Sequence, residues 1–113
     1  MNNSILTSIK KLLGLSEEYE YFDIDIITYI NSTFSILYQL GLDSAKNFFI
    51  SDKTTTWNEL IKEEDNLELV KTYIYLKVKI LFDPPNSSIV MDSINRMIAE
   101  TEFRIIAITG TNH

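Results

Sequence analysis

The chain has 113 residues and no cysteine, and its 16 acidic and 10 basic residues give it a formal net charge of −6. This length predicts a single domain, and an apolar content of 45% is that of a folded globular protein. The lack of cysteine excludes disulfides and thiolate chemistry, and the acidic charge argues against stable DNA binding, because phosphate contacts require a basic surface.

The first two predicted elements are amphipathic helices. Residues 4–13 place their apolar side chains at helical spacing, and Gly14 follows as a stop signal. An acidic and aromatic linker then covers residues 15–22. The second helix is predicted from about Asp23, as its N-cap, to Leu40, and its uncharged stretch is too polar to span a membrane.

One face of this second helix is polar but carries no charge. Between Asp25 and Asp43 the sequence contains no Asp, Glu, Lys or Arg. Solvated helix faces normally carry Lys and Glu, so a small uncharged face indicates contact with another protein surface; the alternative is an ordinary exposed face. The residues assigned to a subunit interface on this ground are Thr28, Asn31, Ser32 and Ser35.

The middle of the chain predicts a connection and a short helix. Residues 47–56 alternate weakly around an Asp-Lys pair, which indicates a short hairpin or an extended loop. Thr56 and Glu59 then have the spacing of a capping box, in which each residue satisfies a backbone amide of the other. A short helix over residues 57–63 is the expected consequence.

The fourth predicted helix, residues 66–82, carries apolar side chains on two sides. Such a helix is covered on both sides, as the centre of a bundle or partly as a subunit interface. Tyr73 lies in one stripe and Lys77 projects between the two, and both are assigned to the interface. For Lys77 the alternative is a lysine whose stem packs while its ammonium reaches water. The stripes are Leu67, Val70, Ile74, Val78 and Leu81, and Leu69, Tyr73, Leu76 and Ile80.

A rigid corner and an apolar tail end the chain. Proline cannot donate to a helix and disfavours helical geometry in the preceding residue, so Asp83, Pro84 and Pro85 predict an abrupt stop. A fifth helix over residues 88–102 follows, capped by Ser87 or Ser88. Residues 103–113, rich in β-branched side chains, are predicted to form an extended tail that adds to a partner sheet; the alternative is continuation of the fifth helix or packing on the same domain.

Catalytic equipment is missing from the sequence. The single histidine is the last residue, His113, and the three glycines are too dispersed for a phosphate-binding loop. The acidic cluster of residues 17–25 lacks the ligand spacing of a calcium loop. The sequence therefore predicts no enzyme activity, catalytic residue, metal site or cofactor. The predicted fold is all-α: a small bundle of four to five helices with a short hairpin or extended loop and an extended C-terminal tail.

Five segments, spread in order over nearly the whole chain, resemble the head–tail connector (neck adaptor) proteins of tailed phages. The most specific are residues 70–79 (VKTYIYLKVK) followed by residues 81–88 (LFDPPNSS). The others are residues 5–14 (ILTSIKKLLG), 22–27 (FDIDII) and 50–57 (ISDKTTTW).

This resemblance implies a structural protein of the virion neck, made in the host bacterial cytoplasm. Its copies are expected to form a dodecameric ring beneath the portal protein, to extend the DNA channel without sequence-specific binding, and to receive the stopper or next neck protein. Residues 1–102 would form the connector domain and residues 103–113 a tail that orders on portal binding. The implied portal-binding residues are Phe103, Arg104, Ile105, Ile106, Ala107 and Ile108.

Two other classes of function stay open on the residues alone. One is a small acidic helical module that binds a basic protein partner and regulates it, with strong dependence on salt. The other is an enzyme that uses carboxylates and a metal ion.

Overall fold

The computed structural model describes residues 3–62 and 64–109, which form five α-helices and a short 3-10 helix, with no sheet. The predicted all-α helical bundle is confirmed. The 3-10 helix spans Asp43–Ala45. The α-helices are α1 (Ile5–Leu12), α2 (Asp23–Gln39), α3 (Trp57–Leu60), α4 (Glu64–Phe82) and α5 (Ser88–Thr109).

Helix α4 is the centre of the bundle. It contacts α1, α2 and α5, and its two apolar stripes are covered along most of their length. Complete burial of a Val, Leu or Ile side chain stabilises the fold by about 1.5–3 kcal/mol, so this helix supplies a large part of the driving force for folding. The two-sided pattern therefore reflects a central position. The buried side chains are Val70, Tyr73, Ile74, Leu76 and Val78.

Helix α2 lies against α4. Its buried face carries Ile26, Ile30, Phe34 and Leu37 at helical spacing. The predicted Asp23 N-cap is wrong by one residue: Phe22 is the N-cap and Asp23 is the first helical residue, with no side-chain cap. The Asp23 carboxylate instead forms an ion pair with Lys10 of α1. Two acids in the first turn still favour this helix end through the helix dipole.

The segment between α2 and α3 is an extended loop that pairs with the start of α1. The Ile5 amide donates to the Thr55 carbonyl (3.1 Å) and the Trp57 amide donates to the Asn3 carbonyl (3.0 Å). A single antiparallel bridge joins Ser4 to Thr56. In the described residues this loop forms no hairpin: its end pairs with the N-terminal segment, and both backbone groups of Ile50 pair with the Asn31 side chain of α2.

Helix α3 begins as predicted and ends early. A capping box is present, with the Glu59 carboxylate accepting from the Thr56 amide at 2.8 Å. The helix ends at Leu60, because Ile61 takes an extended conformation (φ −125°, ψ 118°) and buries its side chain in the core. Residue 63, the predicted end of this helix, lies outside the described residues.

Helix α5 runs much further than predicted. Residues 103–109 continue the helix, so the extended tail is wrong over this range, and residues 110–113 lie outside the described part of the chain. Core-facing positions recur at helical spacing, at Ile98, Thr101 and Ile105. The Thr109 hydroxyl shares its proton between the Ile105 carbonyl of its own helix (2.7 Å) and the Leu40 carbonyl at the end of α2 (2.9 Å). Packing on one face thus outweighs the strand preference of the β-branched side chains.

Candidate interaction surfaces

The second half of α5 is apolar on more sides than the protein covers. One face carries Ile98 and Ile105 against the bundle. Outside that face, Phe103 is 73% exposed, Ile106 46% and Ile108 40%. A helix that is apolar around most of its circumference is normally buried on all sides. This half-covered helix is therefore the clearest candidate surface for a partner.

Five of the six residues predicted to bind the portal lie on this open surface. Phe103, Arg104, Ile106, Ala107 and Ile108 are all exposed. Ile105 is fully buried within the same protomer and holds α5 on the bundle, so its side chain is not available to a partner. The helical spacing also changes the form of the surface, from an extended strand to a convex helix face.

Of the four residues predicted to form an interface on α2, three lie on the surface and one is used within the protomer. Thr28, Ser32 and Ser35 are exposed, as a surface for contact requires. Asn31 instead serves the fold: its side-chain amide donates to the Ile50 carbonyl (3.0 Å) and its carbonyl oxygen accepts from the Ile50 amide (2.8 Å). Asn31 thus ties the long loop to α2, because it satisfies both backbone groups of a buried residue.

Tyr73 is also an internal residue. Its ring is fully buried and its hydroxyl donates to Glu102 Oε2 at 2.7 Å, which joins α4 to α5. Burial, together with this hydrogen bond and the nearby negative charge, raises the pKa of Tyr73 well above its ordinary value. The Tyr73 side chain is therefore not available to a neighbouring copy, and its predicted place in the subunit interface is wrong.

Lys77 lies half-buried at the junction of α2, α4 and α5. It lines a crevice together with the polar residues Ser32, Thr33 and Asn95, and the other walls of this crevice are apolar. Within the described part of the chain its ammonium makes no hydrogen bond or ion pair. Its position between the two stripes of α4 agrees with the sequence pattern.

The Asp83-Pro84-Pro85 corner forms where it was predicted. Helix α4 ends at Phe82, and the Asp83 carboxylate pairs with Lys79 one turn earlier (2.8 Å). The Asp83 side chain is 63% exposed, so the pair contributes at most about 1 kcal/mol. The Ser87 hydroxyl accepts from the Val90 amide (3.3 Å), which identifies Ser87 as the cap of α5.

A buried ion pair between α1 and α2 was missed by the sequence reasoning. Lys10 has a side chain only 3% exposed, and its ammonium lies 2.8 Å from Asp23 Oδ1 and 3.0 Å from the Glu17 carbonyl. The Asp23 oxygen is buried and has this ammonium as its partner. The sequence offered one signal for this pair, a lysine in the last turn of α1 and an acid at the start of α2. It does not show that the two side chains meet, because their distance depends on the path of the linker between the helices.

The described residues offer no metal centre and no membrane span. Residues 3–62 and 64–109 contain no group of three or more His, Cys, Asp or Glu side chains arranged to hold a metal ion. Across the same two ranges, no helix is long and apolar enough to cross a bilayer. What the surface does offer is apolar area, on α5 above all.

Comparison with known families decides the class of this protein. A family model described as "Phage connector protein" matches residues 5–112, nearly the entire chain. The chain belongs to the phage connector family. This confirms the resemblance found in the sequence and assigns a head–tail connector role, in a family that is structural rather than enzymatic. No curated protein and no solved structure matches this connector significantly.

Proposed function

We propose that this connector is a neck adaptor of a tailed phage, whose copies form a ring beneath the portal protein. The ring extends the DNA channel, joins the head to the tail and receives the stopper or next neck protein. In this role the protein resides in the virion neck after synthesis in the host cytoplasm. Membership of the connector family supports the general role, and the uncovered apolar surface of α5 supports the docking mode.

The surface that carries the proposal is the second half of α5, here called the α5 docking face. It consists of Phe103, Ile106 and Ala107, which share one side of the helix, with the exposed Arg104 and Ile108 beside them. Exposed apolar patches of this kind in soluble proteins commonly mark sites of protein association. An amphipathic helix that presents several apolar side chains to a partner is a recurrent recognition mode, in which the helix fills an apolar groove. We assign that groove to the portal.

The contacts of α5 with the bundle keep the docking face exposed to solvent. Ile105 and Thr109 hold one side of α5 against the bundle, through burial and through the hydrogen bond to Leu40. A rigid helix loses less conformational entropy on binding than a free tail, so more of the contact energy appears as affinity. The helix is therefore ordered before assembly in this proposal.

Charge and small polar residues support the remaining parts of the role. The net charge of −6 suits a channel wall that repels the phosphate backbone, so that DNA slides without adhering. Thr28, Ser32 and Ser35 form an exposed uncharged face on α2 that is suited to contact between copies. Asn31 and Tyr73 take no part in this contact, because the protomer uses both internally.

The docking face can be tested with purified portal protein and a double variant, Phe103→Ala with Ile106→Ala. Portal capture is expected to weaken by at least about tenfold, because two apolar anchors are lost. Circular dichroism and thermal unfolding should show an intact fold. The matched control is Ile89→Ala, an equally exposed apolar residue at the opposite end of α5. Equal portal affinity of the double variant and the wild type would refute the docking face.

A further inference from the structure

Lys77 is unusual among the lysines of this protein. Four lysines in the described residues are buried or half-buried, and three of them have a carboxylate partner. Lys77 is the one that has none within residues 3–62 and 64–109. A partly desolvated ammonium gains from a carboxylate more than an exposed one does, because water screens the attraction less. The three pairs are Lys10–Asp23 (2.8 Å), Lys71–Glu68 (3.7 Å) and Lys79–Asp83 (2.8 Å).

The surroundings of Lys77 define what could pair with it. The crevice has a volume of about 250 Å³, enough for a side chain. Ser32 and Asn95 add a hydroxyl and an amide to the ammonium, and all three can donate a hydrogen bond to an anion. The remaining walls are mostly apolar and include Ile36, Ile80 and Leu81. Thr33 also lines the crevice, and its hydroxyl already donates to the Tyr29 carbonyl (2.9 Å). Such a lining fits a carboxylate on an apolar stem, next to a larger apolar side chain.

We propose that this crevice, here called the Lys77 crevice, binds a carboxylate from the acidic and aromatic segment of a neighbouring copy of the same chain. The inference rests on the proposed function, since it names the contact that would join copies in the ring. It assigns Lys77 to a contact between copies and makes the crevice one half of that contact.

A second copy fits the crevice because the chain carries the complementary chemistry on its own surface. Glu20 is exposed between Tyr19 and Tyr21, which are exposed as well, and its carboxylate has no ion pair in the described part of the chain. Glu18 is less suitable, because the Ser16 hydroxyl already donates to it (2.6 Å) and lowers the pKa of that carboxyl. An acid flanked by exposed aromatic rings matches an ammonium flanked by apolar walls.

The geometry of the contact also favours a ring. The crevice involves α2, α4 and α5, whereas Glu20 lies in the connection between α1 and α2, so the two halves are different surfaces of one protomer. Contact between two different surfaces is heterologous, and repeated heterologous contacts close into rings when the rotation permits. The exposed Ser32 of the α2 face borders the crevice and makes the two predicted interface regions continuous.

The first test is substitution of Lys77 with measurement of self-association. Lys77→Met keeps most of the stem and removes the charge, and it should weaken association between copies by about tenfold. Lys77→Arg keeps the charge and should retain most of the association. Lys46→Met is the matched control, because this lysine is exposed and has no carboxylate partner in the described part of the chain. Association is measured by analytical ultracentrifugation and by counting copies per portal complex, with thermal unfolding to confirm the fold.

The second test identifies the partner of Lys77. A carbodiimide activates a carboxylate so that the neutral amine of a lysine in contact with it forms an amide, with the urea as leaving group. Mass spectrometry of assembled complexes should then show Lys77 joined to Glu20 of another copy. The charge exchange Glu20→Lys with Lys77→Glu should restore association that either single reversal abolishes. A Lys77 link to the portal instead, no link at all, or full association of Lys77→Met would each overturn the proposal.

These outcomes are separate from failure of the proposed function. If the wild-type chain does not bind portal, the neck role fails, and self-association at high protein concentration still tests the Lys77 crevice. If wild type and Lys77→Met both form complete rings on the portal, the neck role stands and the crevice proposal is wrong.

Discussion

Helix α4 and the second half of α5 have similar apolar content but different surroundings. In α4 both apolar stripes are covered by α1, α2 and α5, apart from exposed Leu81 at the end. In α5, one face is covered through Ile98 and Ile105, while Phe103 and Ile106 are open. The two helices are joined directly by the hydrogen bond from Tyr73 to Glu102.

The difference separates side chains that hold the fold from side chains free to bind. Apolar area that is already buried contributes to folding, and only area still in contact with water can contribute to association. Helix α4 is therefore a folding element. The second half of α5 is anchored to the bundle by one face and leaves the other exposed, where its apolar area is available for association.

Substitutions of three isoleucines test most directly whether buried and exposed apolar side chains have these different roles. Ile74→Ala in α4 and Ile105→Ala in α5 should each lower the free energy of unfolding by about 2–5 kcal/mol, because both side chains are fully buried. Ile106→Ala should lower it by about 1 kcal/mol or less, because the side chain is half in water. Urea unfolding followed by circular dichroism measures all three.

Ile105 and Ile106 control for each other, since they are neighbours of identical chemistry on one helix. Portal capture should show the reverse order, with Ile106→Ala weaker than wild type under conditions where Ile105→Ala remains folded. Equal loss of stability at the two positions would show that α5 is not seated as described.

A smaller effect is expected at the hydrogen bond between the two helices. Tyr73→Phe should lower the free energy of unfolding by about 1–2 kcal/mol, because the Glu102 carboxylate loses its buried donor. The raised pKa of Tyr73 means that the folded protein favours the protonated phenol. Its contribution is complete below the ordinary tyrosine value of 10.0 and is lost as the pH rises above it.

Unfolding measured from about 2 pH units below to about 1 pH unit above the ordinary tyrosine pKa of 10.0 checks the sign. Wild-type stability should fall toward that of Tyr73→Phe as the pH increases. A constant difference between the two proteins up to the alkaline end would contradict the assignment.

The smallest change in stability is expected at the corner. Pro84 is exposed and Pro85 half-buried, so the double variant Pro84→Ala with Pro85→Ala should alter the free energy of unfolding by about 1 kcal/mol or less. If copies form the proposed ring on the portal, this variant should impair assembly more than folding, because the corner fixes the angle between α4 and the helix that carries the proposed docking face. Severe unfolding of the isolated variant would make the corner a folding element instead.

Local signals in the sequence were sufficient for most helix positions. Gly14 and Gly41 take positive φ values (85° and 110°) just after α1 and α2, as helix stop signals predict. The capping box at Thr56 and the proline stop after Phe82 depend on residues a few positions apart, so sequence spacing reveals them. The family resemblance rested on the same segments and was confirmed by a match to residues 5–112.

The errors arose where local preference and tertiary packing disagreed. The β-branched residues after Phe103 favour a strand in isolation, but Ile105 and Thr109 gain contacts with the bundle only if the helix continues. Asp23 was predicted to cap a helix, but it pairs with Lys10 from α1 instead. Neither partner can be identified from spacing along the chain.

The sequence alone determined most of the helix pattern, the corner and the family, because each depends on residue type or short spacing. The tertiary structure alone decided which of the apolar side chains of α5 and the polar side chains of α2 remain exposed. Ile105 and Asn31 are taken by the protomer, whereas Ile106 and Ser35 remain on its surface. The physical reason is that burial and hydrogen bonding are settled by neighbours distant in sequence, and an interaction surface consists of what those neighbours leave uncovered.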